Sequence, residues 1–272
     1  MHAPQPQIIP PDLLLLAYRS GVFPMSDARE DGEIFWVEPK YRAILPLDGF
    51  RCSRSLAKVI GQDRFTVTLD RDFAAVIDAC AQPRPDHPET WISHRIDASY
   101  RNLHRHGAAH SIEVWHETDQ GEELVGGLYG VSFDRAFCGE SMFSRASNAS
   151  KVALAWLVVL LRRAGFQLLD CQFMTGHLAT LGAVEITREQ YMARLEEACA
   201  APPVVSLHQA WRTLHEEAQA ASSTASGAAA GAGAGASGAG AAGAEPDAGA
   251  ARGAGALSSP GKLIAQSLTQ TS

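Results

Sequence analysis

Glu140 stands beside Gly139 in a mostly apolar stretch, where an unpaired carboxylate is costly. It needs a cationic or hydrogen-bonding partner, and a basic residue such as Arg145 would make it a structural pair. Asp170 and Gln172 lie two positions apart in a segment that reads as a strand, so a period of two puts both on one face. Acids so placed are site candidates if they face a cleft. The plain alternative for Asp170 is a strand-end carboxylate that caps a loop. Lys40, Arg42, Arg51, Arg54 and Lys58 fall in one short segment against Asp48 alone, forming either a local contact for a polyanion or a solvated charged face. His104 and His106 offer two nitrogen donors but no third ligand at a known spacing, so no metal is expected.

The chain that must position these residues has 272 amino acids and a net charge of −7, which does not announce a nucleic-acid binder. Any RNA contact must therefore be local. From about residue 218 the composition turns to Ala, Gly and Ser, with too little apolar bulk to offset chain entropy, and residues 218–272 are expected to be a disordered tail. The remainder divides into an N-terminal lobe, 1–83, and a second lobe, 84–217, joined at the proline-rich 82–88. Five cysteines without a C-x-x-C pair fit a reducing compartment. With no signal-like N-terminus and no long apolar run, the expectation is a cytoplasmic monomer without membrane contact.

The N-terminal lobe opens with a short helix that Gly21 ends, followed by a helix after Ser53 and a third over 73–80 capped by Asp72. In the second lobe, 111–116 alternates as a strand, 118–121 is a turn, and 123–133 and 135–143 are further strands. Gly126-Gly127 inside a strand suggests a bulge or a close approach by a ligand. Residues 147–150 supply cap chemistry for a helix over 151–164 that is apolar on nearly every side and must be buried. Gly165 ends it, and 166–173 returns as a strand. The fold class is α+β, and this β-β-β-α-β order looks like the mixed-sheet core of the GCN5-related acyltransferases. The loop 144–149, however, has no glycine with which to cradle a pyrophosphate, so the acyl donor is not expected to be CoA.

Five ordered blocks carry a more specific resemblance: His110-Ser111-Ile112-Glu113-Val114-Trp115; Leu124-Val125-Gly126-Gly127-Leu128-Tyr129-Gly130-Val131; Phe137-Cys138-Gly139-Glu140-Ser141-Met142-Phe143-Ser144; Asp170-Cys171-Gln172; and His177 with Leu181-Gly182-Ala183. With Tyr18-Arg19-Ser20-Gly21-Val22-Phe23-Pro24 and Arg54-Ser55-Leu56, the chain resembles the bacterial leucyl/phenylalanyl-tRNA–protein transferases over about residues 11–195. The resemblance implies transfer of Leu or Phe, with Met a further donor, from the 3′ end of an aminoacyl-tRNA to proteins beginning with Lys or Arg. These proteins are thereby marked for N-end-rule degradation, and no cofactor is implied.

It also implies roles. Asp170 and Gln172 are the catalytic pair, Asp170 orienting the amine or its hydrogen-bond network and Gln172 placing the ester, since a neutral carboxamide is a poor base. Glu140 belongs to the aminoacyl site, with an apolar pocket of Leu128, Phe137, Leu154, Leu161 and Leu169 that ordinary core packing would also explain. Trp91, Tyr18 and Tyr100 are candidates to stack the tRNA 3′ end, and Met25 stands after Pro24 where the family often has an aromatic residue. Lys40, Arg42, Arg51, Arg54 and Lys58 would contact the tRNA backbone. Another aminoacyl-tRNA-dependent transferase of the same fold, or a catalytically silent tRNA- or degron-binding module, are the alternatives.

Overall fold

A computed structural model describes residues 7–83, 89–231 and 259–270, with side chains to 223 in the second segment. In chain order the elements are α1 (Pro11–Arg19), β1 (Phe23–Met25), β2 (Phe35–Val37), β3 (Tyr41–Ile44), α2 (Arg54–Gly61), β4 (Thr66–Leu69), α3 (Phe73–Cys80), α4 (His94–Arg105), β5 (Ala109–Thr118), β6 (Gly121–Phe133), β7 (Ala136–Ser144), α5 (Ala149–Ala164), β8 (Leu168–Gln172), α6 (Gly176–Thr180), β9 (Val184–Thr187), α7 (Arg188–Cys199), α8 (Leu207–Gly231) and α9 (Pro260–Thr269). Ser53 and Asp72 cap α2 and α3 through their side chains, as their positions predict. Asn148 precedes α5 in the left-handed region without a side-chain cap bond, and Ser144 Oγ instead accepts from Ser150 N–H at 3.2 Å.

Seven strands form one mixed sheet in the order β4-β5-β6-β7-β8-β3-β9. Its neighbours are antiparallel except β7 and β8, which run parallel because α5 carries the chain across between them. The predicted β-β-β-α-β order is present as β5, β6, β7, α5 and β8. β3 and β4 lie before residue 84 yet belong to this sheet, so the sheet crosses the boundary expected at 83. Four-residue strands carry too little alternation to be read from sequence. The expected connector 82–88 falls mostly outside the described residues.

α5 lies against β5 and β6, and only Lys151, Arg162 and Arg163 of its sixteen residues escape burial. Its tight seating explains Gly126, where a Cβ would stand 2.5 Å from the Ala149 methyl. The strand register shifts opposite this point, between Val114 and Trp115. The glycine pair thus serves a bulge and a helix contact rather than a ligand.

The expectation of a disordered 218–272 is corrected in part. α8 continues to Gly231, and α9 packs on α2, with Ile264 and Leu268 buried beside Leu56 and Ile60 in the main core. Composition alone obscured a short amphipathic helix behind the glycine-rich segment.

Candidate active site

β7 and β8 pair only across Ala136↔Leu168, Phe137↔Leu169 and Cys138↔Asp170. Past this point the two strands part, and a cavity of about 770 Å³ opens between them, lined by Gly139 to Arg145 on one side and Cys171, Gln172 and Phe173 on the other. Its apolar wall includes Leu128, Leu169 and, from α5, Leu154 and Leu157. Trp91 stands at the same cavity.

Glu140 sits at the fork, 7 % exposed. Oε1 accepts from Tyr18 Oη at 2.7 Å and from Gln172 Nε2 at 2.8 Å, and Oε2 accepts from Tyr100 Oη at 3.0 Å. A carboxylate has about four acceptor positions, so Oε2 retains room for one more donor. Burial pushes the Glu140 carboxyl up to about 7, against the opposing pull of the two phenols and the Gln172 amide. Burial and the nearby carboxylate raise both phenols, which keeps them neutral donors. The two phenol oxygens also lie against each other.

Asp170 is fully buried and does not line the cavity. Arg42 grips it through Nε to Oδ1 at 2.9 Å and Nη2 to Oδ2 at 2.6 Å, and Tyr191 Oη donates to Oδ2 at 3.2 Å. The guanidinium lies between the rings of Phe23 and Tyr191, 4.6 and 4.5 Å from their centroids. Burial works against its charge, but Asp170 outweighs burial and raises its pKa. Oδ1 also accepts the backbone N–H of Gln172 at 2.8 Å. Gln172 has φ of +60°, a left-handed conformation that costs a non-glycine residue about 1–2 kcal/mol. The Asp170–Arg42 pair thus fixes the turn of backbone that aims Gln172 at Glu140.

The predicted residues separate accordingly. Asp170, Gln172, Glu140, Tyr18 and Tyr100 form one connected network, but the tyrosines are buried hydrogen-bond donors rather than exposed stacking faces. Leu128, Leu154 and Leu169 line the cavity, whereas Phe137 and Leu161 are fully buried core. Arg42 is not a phosphate contact: it is 2 % exposed and committed to Asp170, while Lys40, Arg51, Arg54 and Lys58 are exposed. Arg145 does not pair with Glu140; it donates to Leu124 O and Gln82 Oε1. Met25 lies partly buried in β1 opposite Phe35. His104 and His106 do not converge, their Nδ1 atoms bonding Ala109 O and Asn102 O.

Sequence reasoning passed over Leu157, Tyr191 and His177 as site residues. Leu157 was findable, since Ser150, Leu154 and Leu157 follow one helix face toward the cavity. His177 lines the cavity with its Nε2 buried and unbonded among the described residues, and burial, then Lys151, lower its pKa. Cys171 also lines it, but burial, then Asp170, push its thiol up, so it stays protonated and unactivated.

A chamber with one apolar wall that ends on a buried carboxylate within a parted sheet is a candidate site for a substrate with an apolar group. Family comparison makes this specific. Residues 44–196 match the model described as leucyl/phenylalanyl-tRNA protein transferase, and residues 8–40 match that of its N-terminal domain. A leucyl/phenylalanyl-tRNA–protein transferase of Novosphingobium aromaticivorans is 55 % identical over 268 residues, 98 % of each chain. Its namesake in Zymomonas mobilis is 62 % identical over 191 residues, 70 % of each chain. Among solved structures, L-PGS from Bacillus licheniformis covers 62 % of this chain and 55 % of its own at 14 % identity, with a TM-score of 0.34. The chain belongs to the leucyl/phenylalanyl-tRNA–protein transferase family.

Proposed function

We propose that this enzyme transfers leucine, phenylalanine or methionine from the 3′ end of an aminoacyl-tRNA to the α-amino group of proteins beginning with Lys or Arg, marking them for N-end-rule degradation. The amine nitrogen attacks the ester carbonyl carbon, and a tetrahedral oxyanion forms. The C–O bond to the tRNA then breaks, and the ribose oxygen leaves with a proton. The ester is already activated, so alignment and charge placement supply most of the catalysis.

The observation that carries this reading is the apolar chamber lying directly against the Glu140–Gln172 pair. Filling it with a Leu or Phe side chain gains roughly 25 cal/mol per Å² of apolar surface, so small side chains gain much less. The free acceptor position on Glu140 suits the incoming amine, which has an intrinsic pKa near ~8 and is partly neutral at physiological pH. Gln172 places the ester, and Asp170 acts through the Gln172 backbone. Trp91 would stack the terminal base, and the exposed Lys40, Arg51, Arg54 and Lys58 would contact phosphates. In this reading β5, β6, β7, α5 and β8 are a GCN5-related core without CoA, working as a cytoplasmic monomer.

The test incubates purified protein and Leu-tRNA or Phe-tRNA with peptides beginning with Lys, Arg, Asp or Ala, and reads their masses for one added residue. Addition confined to the Lys and Arg peptides is expected. Addition to the Asp or Ala peptides would overturn the acceptor assignment, and no addition despite tRNA binding would make the chain a binding module.

A further inference from the structure

At the far edge of the sheet from β9, three side chains from distant parts of the chain converge. Asp70 follows β4, His110 is on β5 and His208 is in the first turn of α8. Asp70 Oδ2 lies 2.7 Å from His110 Nδ1 and 3.1 Å from His208 Nε2, and the three ligand atoms are all within 4.8 Å of one another. We propose that Asp70, His110 and His208 bind one divalent transition-metal ion of the zinc class, pinning the start of α8 to the sheet edge.

Ligand chemistry selects the ion. Two imidazoles with one carboxylate suit zinc and its neighbours, whereas magnesium and calcium require mostly oxygen. Tetrahedral zinc with bonds of about 2.0–2.2 Å sets its donors roughly 3.3 Å apart, wider than the two contacts to Asp70 and inside the 4.8 Å that bounds all three ligand atoms. His208 is half-exposed and free to make that adjustment, and its exposed side leaves a fourth position for water.

The carboxylate is held for such a role. The Asp70 side chain is 7 % exposed, and its other oxygen accepts the Ser111 N–H at 2.7 Å. Asp70 has φ of +57°, and its own N–H donates to Ser111 O at 3.0 Å, so both its backbone and its side chain are held by Ser111. Such outer contacts orient metal ligands and govern affinity. His104 approaches Oδ1 only to 3.8 Å and is occupied by Ala109 O and by stacking on Phe73, so it is a neighbour and not a ligand.

The full chain, stripped with a chelator and dialysed, is titrated with zinc chloride by calorimetry and, separately, with cobalt chloride by absorbance. One equivalent of zinc, a zinc-dependent rise in Tm and a cobalt d–d spectrum of tetrahedral strength are expected. His208→Ala should weaken zinc binding at least about tenfold and abolish the Tm rise. Because His208 is half-exposed, that variant keeps the fold; Asp70→Asn is the second variant, compared by zinc-free Tm. Absence of zinc binding, or binding that His208→Ala leaves unchanged, as cysteine ligation would give, overturns the proposal.

Discussion

Glu140 is held in two opposed ways: burial favours its protonated form, while two phenols and an amide favour its carboxylate. One ionisation should therefore govern both activity and stability, with opposite signs. If the carboxylate receives the amine, kcat/KM climbs as pH passes about 7, to which burial pushes the Glu140 carboxyl up. Glu140→Gln should lower kcat/KM by about a hundredfold and remove that limb, leaving only the limb of the amine; a pH–rate profile of both proteins decides this. For stability, the folded pKa lies above the unfolded one, so the contribution is fully present below the ordinary carboxylate range and is lost as pH rises through about 7. Urea midpoints should show wild type losing stability relative to Glu140→Gln across that window. The Arg42–Asp170 pair predicts a different pattern. Arg42→Met strands a buried carboxylate and should cost about 3–5 kcal/mol by urea denaturation, whereas removing both charges with apolar residues should cost less. At this scale a carboxylate in an apolar stretch pointed to Glu140, while Asp170 and Gln172 came from the family resemblance, and of these two only Gln172 lines the cavity. The sequence could not distinguish Arg42 from the exposed cations around it, since the burial of Arg42 comes from β8 and α7, far along the chain.

The parting of β7 from β8 opens the site, and α5 supplies part of its apolar wall. A parallel neighbour reached through a sixteen-residue helix need not pair along its whole length, and here pairing stops at Cys138, two residues before Glu140. The closeness of β6 to β7 on the other side is set by Gly130, where a Cβ would stand 2.3 Å from the Phe137 ring and 2.4 Å from Cys138 O. Gly130→Ala should therefore destabilise the protein by about 2 kcal/mol or more, measured as a lower urea midpoint at unchanged slope. The buried helix and the β5–β7 meander were legible because each is long enough for its apolar period to stand out. The short β3 and β4 were not, and with them was hidden the fact that the N-terminal third completes the sheet. Phe137 and Leu161 were placed in the pocket by family likeness, yet both are core, because an apolar residue on a buried helix or strand gives no sign of which neighbour is missing.

Over the whole molecule, function requires a chain of net charge −7 to hold a polyanion through a local surface. Arg54→Glu with Lys58→Glu should weaken tRNA binding and reduce its dependence on log salt by about one to two units, while transfer at saturating tRNA changes little. Trp91→Ala should also weaken tRNA binding, but with the salt slope intact. α9 docks on α2 beside these cations, so a chain ending before residue 259 should lose about 2 kcal/mol of stability as Ile264 and Leu268 leave the core. Its turnover per folded molecule should persist. That docked helix is where composition misled most, since the glycine-rich segment before it dominates any average. If the chamber at the β7–β8 fork holds the amino-acid side chain, as proposed, Leu154→Phe should fill its apolar wall. With Tm and tRNA affinity measured alongside, transfer from Phe-tRNA should fall at least about tenfold more than transfer from Leu-tRNA. Equal losses for the two donors, or no loss, in a variant that folds and binds tRNA normally would contradict the account.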